Sequence, residues 1–237
     1  MTAAQPRTDP PWGYTDLALF ASAILPSLAL AALFARIGRA LAPGFFQGST
    51  AAVTLTFQAF VYALLLGALV LVIARKHAPP FWAAIAWTLR FRGAFGYVAA
   101  GPVLALGVSV LSVLLRAPEV DNPIKSMITG RASLAVVVVF GAVLAPFFEE
   151  LTFRGFLLPL LRRSFGGALG VVLTTLPFAL LHGAQNQWAW QQILLIALAG
   201  IAFGFARVAS GSTAAAFLLH ASYNATQFLA LVLTTNF

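Results

Sequence analysis

The sequence predicts an all-α, polytopic integral membrane protein, a bundle of about seven transmembrane helices with one further segment suited to the membrane interface. Three observations predict it. Of 237 residues, 61% are hydrophobic and only 8% are Asp, Glu, Lys or Arg, against about a quarter charged in an ordinary soluble domain. The 14 Lys and Arg and 6 Asp and Glu cannot coat a 25.0 kDa globule, but they suffice for the two wet rims of a protein solvated by lipid. Second, the charged residues cluster, leaving six stretches free of them: Leu17 to Ala35, Ala40 to Ala74, Gly93 to Leu115, Ala132 to Phe148, Ser164 to Ala206 and Val208 to Phe237. One crossing needs about 20 apolar residues. Third, the fifth stretch is long enough for two helices, and its amides Gln185, Asn186, Gln187, Gln191 and Gln192 mark a turn between them.

Taken in order, residues 1–16 are a polar N-terminal tail with Arg7, Asp9, Asp16 and three prolines. That tail is unlike a cleaved signal peptide, so the first span is expected to be retained. Residues 17–132 form an N-terminal set of helices. Within it, the segment near 78–92 contains Pro79, Pro80, Phe81, Trp82, Trp87, Arg90, Phe91 and Arg92, aromatics beside cations that suit either a helix in the headgroup layer or an aromatic-belt loop. Residues 133–237 form the C-terminal helices that carry the ionisable groups, all within one structural domain overall. The fourth span must run on through Glu149, Glu150 and Arg154 to about Leu161, which makes it the unusual one. No inverted repeat or pair of broken helices argues for a secondary transporter.

The formal charge of +8 suits anionic lipid headgroups here, not nucleic acid. Zero cysteines exclude disulfides, thiolate catalysis, Cys-ligated zinc and prenylation of this chain. With seven spans, eight Lys and Arg fall on the N-terminal side (Arg7, Arg75, Lys76, Arg90, Arg92, Arg162, Arg163, Arg207) and five on the other (Arg36, Arg39, Arg116, Lys125, Arg131). The positive-inside rule then places the N-terminus in the cytoplasm, by a narrow margin.

An ionisable side chain in hydrocarbon is expensive, so each one within a span is a functional-site hypothesis. Glu150 and Arg154 are four apart with the acid first, the better order for an ion pair on one helix face. Glu149 is rotated about 100° from Glu150 and has only Ala145 and Phe153 at that spacing, which cannot satisfy a carboxylate. His220 and Asn224, also four apart, share a face and can both donate hydrogen bonds to one oxygen. His182 alone fits helix packing or a site equally well. Glu149 lies 13 residues from Arg162, His182 lies 14 from Ala168, and His220 lies 13 from Arg207; at 1.5 Å per residue each is about 20 Å from one rim. The three can therefore share a layer of the membrane.

Glu149-Glu150-Leu151-Thr152-Phe153-Arg154, then Phe178-Ala179-Leu180-Leu181-His182, then His220-Ala221-Ser222-Tyr223-Asn224 resemble the EExxxR, FxxxH and HxxxN motifs of the CPBP intramembrane proteases. This is the CAAX protease and bacteriocin-processing family, which includes Rce1-like prenyl endopeptidases and was formerly grouped as Abi. Arg207-Val208-Ala209-Ser210-Gly211-Ser212 is also similar to that family. The resemblance covers roughly residues 133–230.

It implies an intramembrane endopeptidase that hydrolyses a membrane-associated substrate, with Glu149 and His182 activating a water and His220 and Asn224 stabilising the oxyanion. Glu150, Arg154 and Phe178 are then supporting residues. No cofactor is favoured. A zinc-dependent version would use Glu149, His182 and His220, but the sequence lacks HExxH and Asn224 is a poor zinc ligand.

The implied partners are the lipid bilayer and a membrane protein or lipidated peptide, in a membrane that reads as the prokaryotic cytoplasmic one. Gly200-Ile201-Ala202-Phe203-Gly204 reads first as a close helix-packing motif and leaves homo-oligomerisation open. The alternative of another class is a non-enzymatic bacteriocin-immunity or scaffold protein, in which Glu149 and His220 would be dispensable.

Overall fold

The computed structural model describes residues 10–46, 50–76, 80–88, 91–120 and 123–234. Among them, six helices are long and apolar enough to cross a membrane, and a seventh apolar helix is shorter. In chain order they are α1 (Tyr14–Leu41), α2 (Ala51–Arg75), α3 (Gly93–Leu114), α4 (Arg131–Phe165), α5 (Gly167–Leu181), α6 (Trp190–Ser210) and α7 (Thr213–Thr234). The fifth charge-free stretch divides into α5 and α6 at a short turn over Ala184–Asn186, where the amide cluster fell. Leu25, Leu41, Leu106, Val113 and Leu181 stand outward and exposed, as side chains solvated by lipid do.

α4 holds the geometry of the site. It runs 35 residues and is wound as a π-helix twice, over Phe140–Leu144 and Leu151–Leu157. Each π stretch ends two residues before a proline, Pro146 and Pro159, whose missing N–H cannot close the ordinary ladder. The helix passes the expected end near Leu161 and stops at Gly166, whose φ of +85° only glycine adopts without strain. Gly211, with φ +70°, ends α6 in the same way.

The N-terminal helices and α4 share one apolar core, in which Trp12, Phe20, Leu69, Ile73 and Ile85 pack with Phe148, Leu151, Phe156 and Leu160. Trp12 Nε1 donates to Phe156 O at 2.9 Å. Of the segment near 78–92, the described residues 80–88 form a single turn, Phe81–Ala84, followed by a loop that enters the protein. Ile85 is fully buried there, Trp87 packs on Phe147 and Phe217, and Thr213 Oγ1 and Ser212 Oγ donate to Ile85 O and Thr88 O. Over residues 80–88 the segment is thus an aromatic loop clamped on α4 and α7; Pro79 and Arg90 lie outside the described residues.

Gly200 and Gly204 pack inside the bundle. A Cβ on Gly204 would come within 2.7 Å of Val171, and one on Gly200 within 2.9 Å of Thr175, both on α5. The small-residue stripe is used for α5–α6 contact and is not open to a second copy.

Candidate active site

Glu150 and Arg154 lie where α4 passes from α to π winding, and both side chains are fully buried. Arg154 Nη1 donates to Glu150 Oε1 at 2.9 Å, and Nη2 donates to Gly200 O at 2.8 Å. The guanidinium also lies 4.5 Å from the centroid of Phe178. A cation without water needs this many partners, because an unpaired buried charge costs several kcal/mol. The absence of a side chain at Gly200 lets Arg154 reach the α6 backbone, since a Cβ there would stand 3.2 Å from Nη2.

Glu149 points away from that pair, and its side chain keeps 15% exposure. Its Oε1 accepts from the Tyr62 hydroxyl at 3.4 Å, and its Oε2 lies 3.9 Å from His220 Nε2. His220 bridges the two glutamates: its Nδ1 is 2.8 Å from Glu150 Oε1. The imidazole is stacked on Phe203 at 4.2 Å between centroids, which fixes the ring plane.

Counting from Arg207 put His220 about 20 Å from the rim, yet α7 begins only at Thr213, so His220 lies about 10 Å into the helix. The shortfall is made up because α7 starts below the surface: Thr213, Ala214 and Ala216 are fully buried, with the loop 85–88 packed over the turn.

His182 ends α5. Its Nδ1 is 2.8 Å from Phe178 O; a carbonyl only accepts, so Nδ1 carries a proton, and in the neutral ring Nε2 holds the lone pair. The Phe178 ring is 4.9 Å from the imidazole, beside it as expected. Asn224 Nδ2 donates to Gly141 O at 2.8 Å. In the i→i+5 register of the first π stretch, where Ala145 N reaches Phe140 O, the next donor would be residue 146. That residue is proline, so Gly141 O is left for Asn224.

A cavity of about 590 Å³ is lined by Glu149, Phe178, His182, His220 and Asn224 together. Glu150 and Arg154 stand behind it. Gln58, Gln185, Asn186, Gln192 and Gln227 also line it, and a polar cavity of this size accommodates water. The sequence reading missed four things here: the His220–Glu150 contact, Tyr62, Gln58, and the use of the turn amides as cavity wall. One signal was present, since Gln58 is one of only two amides, with Gln47, in the second charge-free stretch.

Zinc would require Glu149, His182 and His220 as a set at about 2 Å from the ion. Among the described residues no three His, Cys, Asp or Glu are grouped to hold a metal, and His220 has its nitrogens turned to Glu150 and Glu149.

Fold and site together define a polytopic helical membrane protein whose membrane-embedded cavity is built from a carboxylate, two imidazoles and an amide. Residues 131–226 match the family model described as type II CAAX prenyl endopeptidase, Rce1-like. The match over that region supports placing the chain with the CPBP, or CAAX protease, family and indicates an intramembrane protease. No curated protein and no solved structure matches the chain significantly.

Proposed function

We propose that the protein cleaves peptide bonds of a membrane-associated polypeptide with a water activated at Glu149, without a metal. The observation that carries this reading is the one cavity on which Glu149, His182, His220 and Asn224 meet, supplied by α4, the end of α5, and α7. Amide hydrolysis needs a base for the water, donors for the oxyanion and an acid for the leaving amine. The water sits between Glu149 and the lone pair of His182 Nε2. Glu149 takes its proton as the oxygen attacks the scissile carbonyl, then passes that proton to the departing nitrogen.

His220 Nε2 and the second Nδ2 hydrogen of Asn224 receive the oxyanion. Because Glu150 engages His220 Nδ1, donation from Nε2 makes the ring an imidazolium. Glu149 and Glu150 against Arg154 and His220 then balance to zero net charge, the condition under which a buried ionic cluster is tolerated. Loss of one oxyanion donor costs about 10²- to 10³-fold in rate.

The substrate is a membrane protein or a lipidated peptide, and the setting is the cytoplasmic membrane of a prokaryote. The test compares membrane peptides from cells carrying wild type or Glu149→Gln. Peptides that appear only with the wild type, and still appear in purified membranes after strong chelation, support the proposal. If no peptide differs, a binding role such as bacteriocin immunity takes its place. Loss of the peptides on chelation and rescue by zinc would replace the metal-free mechanism.

A further inference from the structure

Glu149 has an anchor from outside the region that the family model matches. Tyr62, on α2, brings its hydroxyl to 3.4 Å from Glu149 Oε1. One turn earlier on α2, Gln58 places its Nε2 2.8 Å from the same phenol oxygen. An amide nitrogen only donates, so it occupies a lone pair of that oxygen and leaves the phenol hydrogen to be given to another acceptor. The carboxylate is that acceptor.

The ring holding the hydroxyl is fixed on the helix it serves. It stacks on Phe148 with centroids 4.3 Å apart and planes at 16°, and on Phe140 at 6.0 Å and 13°. Phe148 immediately precedes Glu149, so the phenol and the carboxylate are registered on one turn of α4. Gln58 lines the cavity, while Tyr62 reaches Glu149 from behind it.

We infer that Tyr62 is a positioning residue for hydrolysis: it ties Glu149 Oε1 with one hydrogen bond and is itself oriented by Gln58. The inference rests on the reading of Glu149 as the group that activates water. With Oε1 engaged by Tyr62, the carboxylate cannot rotate freely, and the lone pair that takes the water's proton belongs to Oε2, on the His220 side. Partners that orient metal ligands from behind are typically worth about 10- to 100-fold in activity, and the same scale is expected for a partner that orients Glu149. Because Gln58 acts through Tyr62, the two side chains form one unit whose effects do not add.

The test uses full-length protein in lipid nanodiscs and two readouts. Infrared difference spectra of wild type minus Glu149→Gln isolate the Glu149 carboxyl band without any substrate. Tyr62→Phe keeps the ring and its stacking and deletes only the hydroxyl. The expected result is a displaced Glu149 band in Tyr62→Phe, a smaller displacement in Gln58→Leu, and a double variant identical to Tyr62→Phe. In membranes, the release rate of Glu149-dependent peptides falls about 10- to 100-fold in Tyr62→Phe, with the melting temperature unchanged.

A packing role alone would leave the band and rate of Tyr62→Phe at wild type and lower the melting temperature only where the ring is lost, as in Tyr62→Leu, which overturns the inference, as do additive effects of the two substitutions. Wild-type band and rate in Tyr62→Phe, with Glu149→Gln inactive, overturn this inference alone. Full cleavage by Glu149→Gln removes the reading of Glu149 and this inference with it.

Discussion

Adjacent glutamates on one helix do opposite work because 3.6 residues per turn separates them by about 100°. Glu150 faces inward to Arg154 and His220 with no exposed surface, whereas Glu149 faces the cavity. Their neutral isosteres should therefore separate stability from activity. Glu149→Gln keeps its shape and can still accept from Tyr62 in a cavity already lined by amides, so its melting temperature is expected to fall far less than that of Glu150→Gln while peptide release stops. Glu150→Gln strips the buried Arg154 of its counter-charge, and such unpairing costs about 3–5 kcal/mol, visible as a much earlier melt. Equal losses of stability in the two variants would contradict the division. The i,i+4 spacing made the Glu150–Arg154 pair legible in the sequence, as did the exclusion of Glu149 from it. The contacts of His220 with Glu150 and of Tyr62 with Glu149 were not, because no local rule relates residues on different spans.

At the level of elements, the spans were legible because burying an unpaired charge in lipid is so costly that charge-free stretches outline them. The hydrogen-bond register of α4 was hidden, since hydropathy is the same for α and π winding. Pro146 was the available clue. By removing one donor it releases Gly141 O, which Asn224 then uses to fix its own amide. The same turn needs a glycine, because a Cβ on Gly141 would stand 2.6 Å from Phe228. Pro146→Ala restores a backbone donor that competes with Asn224 for Gly141 O. Peptide release is expected to fall about 10-fold or more, as for loss of an orienting partner, while the melting temperature holds or rises because an interior proline disfavours a helix. An unchanged rate would mean that the Gly141 contact does not orient Asn224.

For the whole molecule, the matched region ends where the packing does not: Trp12 is anchored to Phe156 O, and α2 contributes Gln58 to the cavity wall and Tyr62 to Glu149 behind it. The described contacts also fix which rim the cavity lies toward. Arg163 bonds Pro10 O and Tyr14 bonds Ser164 at the N-terminal rim, whereas Gln192 bonds Pro118 O at the other, beside the cavity wall formed by Gln185 and Asn186. With eight cations against five on these two sides, the positive-inside rule predicts a cytoplasmic N-terminal rim and an amide-lined wall on the opposite face of the membrane. The chain has no cysteine, so single cysteines report its topology against a silent background. Ala184→Cys and Ser164→Cys both fall at exposed positions, at the two ends of α5. In intact cells a membrane-impermeant maleimide is expected to label Ala184→Cys, and to label Ser164→Cys only after permeabilisation. The reverse pattern would put the cavity on the cytoplasmic side and leave its internal geometry untouched, while confining the substrate to segments exposed to the cytoplasm.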